Sequence, residues 1–381
     1  MKRLVTCESV RKGHPDKLCD RISDSILDAF LREDPNAQCG IEVMAANDRI
    51  IIAGEVSSER IPNIVHIVDS TWEAKHVVTE VGYDKYKFTF ENLIHSQSED
   101  IRNAVIPNNN DVMAGDQGLI FGYATNETPE MLPLPLVLAH RLCRAADYFM
   151  GNNPDSGILP DGKAQVTVEY ENGKFSIMKI ILSIQHEDRL SHNDICILAM
   201  NYILPEAFID YDYSEAIILI NPSGRFVIGG PVGDVGLTGR KIIVDSYGGV
   251  VPHGGGAWSG KSPQKVDRSA AYMARYVAKN IVAAGLADRC LVSLSYAIGV
   301  AEPVAVDIDT YGTGVVEDHY ILSAITELCD FTPMGIIGKL GLNAPIYTPT
   351  SSYGHFSDSR YPWEQTDMAE SLRIAVIGDE D

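Results

Sequence analysis

The sequence predicts an α/β protein made of three similar units with mixed sheets, and three observations carry that expectation. Apolar rows at helical spacing alternate with short strand-like runs along the 381 residues. Two pairs of strand runs meet at short polar turns, Asn47-Asp48 and Asn172-Gly173. The pattern G-D-x-G-L occurs twice, 118 residues apart, at Gly115-Asp116-Gln117-Gly118-Leu119 and Gly233-Asp234-Val235-Gly236-Leu237. A repeat of that length fits three times into the chain.

The elements follow in order. Leu18, Ile22, Ile26 and Phe30 recur every fourth residue, which predicts an amphipathic helix through about Leu31. Gly13-His14-Pro15-Asp16-Lys17 precedes it, so His14 and Asp16 stand at a helix entrance. Runs at 40–45 and 49–56 form a hairpin about Asn47-Asp48. Glu42 then faces residue 53, and Glu55 lies a diagonal step away, so two carboxylates gather at the open end. From Gln97 to Gly115 the chain is rich in Asp, Asn, Pro and Gly, the length and composition expected of a mobile lid.

A helix is expected over 133–149, a loop over 151–162, and a hairpin of 165–170 with 175–184, with Lys163 at its mouth. Further on, 241–244 reads as a strand, an Ala-rich helix closes at Gly285, and 291–296 and 304–309 read as strands. The expected division is an N-terminal α/β unit over 1–98, the mobile loop over 99–114, a central α/β unit over 115–228, and a C-terminal α/β unit over 229–381.

Composition narrows the function. Lys and Arg number 31 against 52 Asp and Glu, a net charge of −21, which disfavours binding to nucleic acid or an anionic membrane. No run of 18 apolar residues and no signal-peptide core occurs, so a cytoplasmic protein is expected. The seven cysteines are scattered without C-x-x-C spacing, which argues against zinc and disulfide frameworks.

The richest chemistry lies in His253-Gly254-Gly255-Gly256-Ala257-Trp258-Ser259-Gly260-Lys261-Ser262-Pro263-Gln264-Lys265-Val266-Asp267-Arg268, where a glycine-rich loop meets two lysines and an acid at a helix start. Backbone N–H groups, the helix N-terminus and two ammonium groups favour a polyphosphate. Gly255 to Ser262 also fits G-x-x-x-x-G-K-[ST], but Pro252 and Pro263 interrupt the strand and helix that a P-loop needs. Gly224-Arg225-Phe226 offers a guanidinium beside an aromatic face, and Gly239-Arg240-Lys241 adds two cations near Asp234. His14 with Asp16 and Lys17 suits phosphate plus magnesium.

These motifs, with Glu8-Ser9-Val10, Gly115-Asp116-Gln117-Gly118 to Gly122-Tyr123-Ala124, Gly224 to Pro231, Gly236 to Lys241 and the glycine-rich loop continuing to Tyr272, resemble the S-adenosylmethionine synthetase (methionine adenosyltransferase) family over nearly the whole chain. The resemblance implies three units about a pseudo-threefold axis. It implies synthesis of S-adenosylmethionine by attack of methionine sulfur on the ribose C5′ of ATP, then cleavage of the bound triphosphate to phosphate and pyrophosphate. Catalysis falls to His14, Lys163, Arg240, Lys261 and Lys265 by the same likeness. ATP falls to His14, Asp116, Asp161, Lys163, Arg225, Phe226, Asp234, Arg240, Lys241, Ala257, Lys261 and Ile298, and methionine to Glu55, Gln97, Asp234 and Lys265.

The implied cofactors are a pair of Mg²⁺ ions per site, at Asp16 and Asp267, and a K⁺ per subunit at Glu42. The implied assembly is a homodimer with shared active sites, and beyond it a homotetramer. In that dimer Asp234, Ala257 and Lys261 come from one subunit, and His14, Glu55, Gln97, Lys163, Arg225 and Arg240 from its partner. The family usually has Phe and Asp where Trp258 and Ser262 stand, and an acidic or polar residue at Lys12. Trp258 keeps an aromatic wall and Ser262 removes a negative charge near phosphate, which implies retuned kinetics with the reaction intact and leaves the affinity for ATP open.

Overall fold

Strands in this chain are donated in a cycle, as a computed structural model describing residues 2–61, 63–97, 113–356 and 358–378 shows. Eleven strands are present among the described residues: β1 Arg3–Val10, β2 Gln38–Ala46, β3 Arg49–Ser57, β4 Thr89–Ser96, β5 Gly118–Thr125, β6 Ile158–Glu171, β7 Lys174–His186, β8 Ile217–Ile220, β9 Gly236–Leu237, β10 Arg289–Tyr296 and β11 Ala305–Asp309. They form three sheets ordered β4-β3-β2-β9, β1-β6-β7-β8 and β11-β10-β5. Each sheet is built on a hairpin whose first strand pairs antiparallel with a strand from another part of the chain. Thus β1 joins the central hairpin, β5 joins the C-terminal one, and β9 joins the N-terminal one. Each unit lends a strand to the next.

That exchange explains the G-D-x-G-L echo, because both copies run into donated strands, β5 and β9. In two sheets a further strand pairs parallel with the hairpin, β4 with β3 and β8 with β7, which makes them mixed. The third sheet is antiparallel throughout its described strands, a departure from the expected mixed sheet.

A helix precedes each hairpin: Pro15–Glu33, Leu134–Asn152 and Val266–Ala283. The hairpin β2–β3 has the register expected from its turn, with Glu42 opposite Ala53 and Gly40 opposite Glu55. Its inner face carries buried Ile41, Val43, Ile50 and Ile52, and its outer face carries Glu42, Met44 and Glu55. None of the seven cysteines is in a disulfide.

Two expectations fail. The run expected as a strand over 241–244 is the short helix Ile242–Asp245. Its ends are fixed by other elements, since Lys241 reaches Asp16 and Asp245 receives buried Lys17, so tertiary pairing overrides the β-propensity of Ile242-Ile243-Val244. The expected loop over 151–162 is mostly ordered differently: the helix continues to Asn152, and β6 begins at Ile158. A register shift between Ile158 and Gly162, around Pro160, masks that strand start in the sequence. The expected lid lies largely at 98–112, outside the described residues.

Candidate functional site

The first charged cluster grows from the start of helix Pro15–Glu33. His14 caps it, its Nδ1 accepting from the Asp16 N–H at 3.2 Å, and is buried. Burial, with Lys241 and Lys163 nearby, pushes the imidazole down to about 3, so it is neutral at physiological pH. The Asp16 carboxylate accepts from the Leu237 N–H at 3.0 Å and from Lys241 Nζ at 2.6 Å, and lies 3.3 Å from Arg240 Nε. Burial pushes its pKa up, but those hydrogen bonds outweigh it and hold the carboxyl below the usual range, hence ionised. Donation of β9 to the N-terminal sheet thus brings Arg240 and Lys241 onto the helix entrance.

The second cluster sits on the glycine-rich loop. The loop is stitched to β2: Gly260 O accepts from Ile41 N at 3.0 Å, Ser262 N donates to Cys39 O at 3.1 Å, and Ser262 Oγ accepts from Cys39 N at 3.0 Å. Gly260 has φ +78°, and a Cβ there would meet Ile41 O at 2.0 Å. At Gly256 a Cβ would stand 2.4 Å from Asp267 Oδ1, so the loop backbone lies against that carboxylate. Lys261 Nζ pairs with Asp267 Oδ2 at 2.6 Å, and Lys265 Nζ with Glu55 Oε1 at 3.5 Å. Lys265 is the N-cap of helix Val266–Ala283, so Lys261-Ser262 precede the helix by a full turn and the P-loop geometry is absent. Glu42 faces the same group; burial raises its carboxyl pKa, with Lys261 and Lys265 opposing.

The remaining candidates sort by contact. Lys163 lies on β6 opposite Val10, near enough to act on His14. Asp161 is buried and anchors the Gly230 N–H at 2.8 Å; burial raises its pKa. Gln97 Oε1 accepts from Ser57 Oγ at 2.9 Å on the β3 side of the second cluster. A Cβ on Gly239 would meet the Ala257 Cβ at 2.5 Å, which sets Ala257 beside the Gly239-Arg240-Lys241 turn. Arg225 is exposed and paired with Asp188, and Phe226 N donates to His186 Nε2 at 3.2 Å. Exposed Asp116 holds its Gln117 N–H at 2.8 Å, Asp234 is exposed, and Ile298 is 64% exposed. Among the described residues, no hydrogen bond or ion pair ties these last five to either cluster.

Within one chain, Glu55 stands with Lys265.

One set of residues went unnoticed in the sequence. Asp16, Asp20, Asp24 and Asp28 recur every fourth position and are all buried along one helix. Asp20 Oδ1 accepts from Gly239 N at 2.8 Å, and Asp24 Oδ1 from Gly260 N at 2.8 Å and Arg268 Nη1 at 2.6 Å. Asp28 accepts from Tyr347 N at 3.0 Å and Thr348 N at 2.8 Å. The stripe therefore positions both cation-bearing turns. The i, i+4 spacing of acids on an otherwise apolar helix was the available signal.

Trp258 is 6% exposed and packs edge-on to His355 at 4.9 Å and against Phe356 at 5.3 Å, so it belongs to the core beneath the loop.

Four cations paired to carboxylates, beside a glycine-rich turn on a three-unit α/β scaffold, make a site fitted to a polyphosphate with a divalent cation. Comparison with known proteins gives its kind. Models of the S-adenosylmethionine synthetase N-terminal, central and C-terminal domains match residues 2–103, 111–226 and 228–365. S-adenosylmethionine synthases from Methylobacterium radiotolerans and Ruegeria pomeroyi are each 47% identical, over 391 and 392 residues that cover 98% of this chain and 98% of the relative. One from Pseudothermotoga lettingae is 47% identical over 399 residues, covering 98% and 99%. The chain belongs to the S-adenosylmethionine synthetase family.

Proposed function

We propose that this protein makes S-adenosylmethionine from ATP and L-methionine, and then cleaves the departing triphosphate to phosphate and pyrophosphate. The observation that carries the reading is family membership along 98% of the chain, at 47% identity. A neutral thioether attacking C5′ needs alignment and a stabilised leaving group more than a covalent nucleophile. Arg240, Lys241, Lys261 and Lys265 supply that charge, with Lys163 and His14 at the edge. A neutral His14, its Nδ1 accepting from the Asp16 N–H, donates from Nε2 to a phosphate oxygen without adding charge. Glu55 and Gln97 hold methionine, with Asp234 and Lys265. Asp116, Asp161, Arg225, Phe226, Ala257 and Ile298 complete the nucleotide side.

Asp16 and Asp267 fit Mg²⁺, which takes one or two carboxylates and fills its remaining positions with phosphate oxygens and water. No group of three or more metal-ligating side chains stands among the described residues. Bound Mg²⁺ would neutralise charge developing on the triphosphate. Glu42, on the outer face of β2, would offer its carboxylate to K⁺.

Exposed apolar residues on the outer sheet faces support assembly as a homodimer with shared sites, and further as a homotetramer. Exposed Met44, Leu93, Leu119, Ile217, Leu219 and Leu237 lie on the three sheets. Glu42 shares the outer face of β2 with Met44. We place the enzyme in the cytoplasm; no single described helix is long and apolar enough to cross a membrane.

The test is incubation with ATP, methionine, Mg²⁺ and K⁺, reading products by mass spectrometry. S-adenosylmethionine, phosphate and pyrophosphate should appear together and only when both substrates are present. ATP hydrolysis at full rate without methionine, and no sulfonium product, would sink the reading.

A further inference from the structure

We propose that buried His186 is a positioning residue for the nucleotide: it clamps the backbone of Phe226, and so fixes the ring on which the adenine base stacks. The inference rests on the reading of Phe226 as part of the nucleotide side. His186 ends β7 and is 1% exposed, and it belongs to neither charged cluster. Its N–H donates to Phe226 O at 2.9 Å, and its ring Nε2 accepts from the Phe226 N–H at 3.2 Å. A carbonyl only accepts and an amide N–H only donates, so the contact of Nδ1 with Glu187 O at 2.9 Å settles the tautomer. Nδ1 carries the proton, and Nε2 offers its lone pair to Phe226. One side chain and its own backbone thus hold both polar backbone groups of Phe226.

Such a clamp is needed because residues 221–229 lie outside every helix and strand, where an aromatic ring is precise only if its backbone is held from outside. Buried side chains fasten the segment on either side of Phe226. Asn221 pairs with Ile184 through both amide atoms, accepting from its N–H at 2.7 Å and donating to its carbonyl at 3.0 Å. Gln185 Nε2 donates to Val227 O at 3.0 Å, and Asp161 accepts from the Gly230 N–H at 2.8 Å. Asp161 stands two residues before Lys163, so the same fastening ties the Phe226 segment to the strand that carries a phosphate-side cation. Phe226 itself is half-buried, its ring edge set against Gly229, where a Cβ would stand 2.9 Å from Cε2. A ring already held in this way gives its stacking energy to a base without first being ordered.

The experiment compares two variants of the full chain, assayed with Mg²⁺ and K⁺. His186→Asn keeps a donor where Nδ1 stands but cannot reach the Phe226 N–H, whereas His186→Gln places an amide oxygen where Nε2 stands. His186→Asn should raise the KM for ATP about fivefold or more at nearly unchanged kcat, and His186→Gln should restore it to within about twofold of wild type. Triphosphate has no base, so the KM for added triphosphate should not move in either variant. An unchanged KM for ATP in His186→Asn, equal losses toward ATP and triphosphate, or failure of His186→Gln to restore the KM overturns the positioning role. A wild type that forms no sulfonium product removes the reaction on which the inference rests, and that outcome is read before any variant is compared.

Discussion

Asp24 and Lys261 are reached from the same turn of the glycine-rich loop, yet the ion pairs they form differ in kind. Asp24 binds Arg268 through two hydrogen bonds at 2.6 and 3.0 Å, with both side chains fully buried. Lys261 meets Asp267 through one contact at 2.6 Å, with the side chains 21% and 16% exposed. The first pair is closed: Gly260 N and Thr350 Oγ1 take further lone pairs of Asp24, so nothing is left for a ligand. The second is open to solvent, as is Lys265 with Glu55, each 36% exposed. Closed pairs hold the turns. Open pairs can be exchanged, the carboxylate for a divalent cation and the ammonium for phosphate.

The contrast is broken most severely by Asp24→Ala. Leaving Arg268 buried and unpaired should cost about 3–5 kcal/mol in stability, read as a fall in the denaturant midpoint. A loss no larger than that of a surface pair would erase the distinction between the two kinds. Lys261→Ala should do the reverse, changing stability by about 1 kcal/mol or less. It should lower kcat by about 10²–10³ for both S-adenosylmethionine formation and triphosphate cleavage. Near-normal turnover of ATP with methionine and of added triphosphate would remove Lys261 from catalysis.

Acid should sharpen the picture next. His14 and His140 are both buried and pushed down to about 3, burial being the leading cause. The unfolded chain takes up protons at an ordinary histidine value near 6.5 while the folded chain does not, so stability rises with pH across that interval. It is fully present above about 6.5 and is lost as pH falls toward about 3. Each histidine contributes at most ~1.4 kcal/mol per pH unit to the slope. His140→Gln, at a residue bonded to Ser9 Oγ at 2.8 Å, should flatten the slope between pH 4 and 6 by about one proton. An unaltered slope would mean that His140 is protonated when folded.

The smallest effect belongs to Trp258→Phe. It keeps an aromatic ring against His355 and Phe356 but leaves a void, so about 1–2 kcal/mol of stability should go. The KM for ATP should move by less than about threefold, because the ring belongs to the core. A larger rise in KM with stability intact would put Trp258 in the nucleotide pocket.

How much of this was legible depended on whether the cause was local. The entrance at His14 and Asp16 was readable because a four-residue apolar row and a proline fix the helix start. The β2–β3 register was readable because two turn residues fix the pairing, and with it the outward set of Glu42 and Glu55. The strand start at Ile158 was hidden by Pro160 and a register shift. The helix Ile242–Asp245 was hidden because Asp16 and Lys17, over two hundred residues earlier, hold its ends. Cyclic strand donation left one trace, the repeated G-D-x-G-L, but no sequence rule says that a strand pairs outside its own unit. The buried stripe of Asp16, Asp20, Asp24 and Asp28 was visible as spacing and missed, since acids on a helix ordinarily face water.

The central claim is that the exchangeable pairs around Asp16 and around Lys261 serve one catalytic centre, shared between two chains. The direct measurement mixes inactive His14→Ala with inactive Lys261→Ala under conditions where subunits exchange. A mixed dimer then carries one site with both lesions and one with neither. Random exchange makes about half the dimers mixed, so activity should recover to about 25% of wild type. Demonstrated subunit exchange with no recovery would contradict the shared centre.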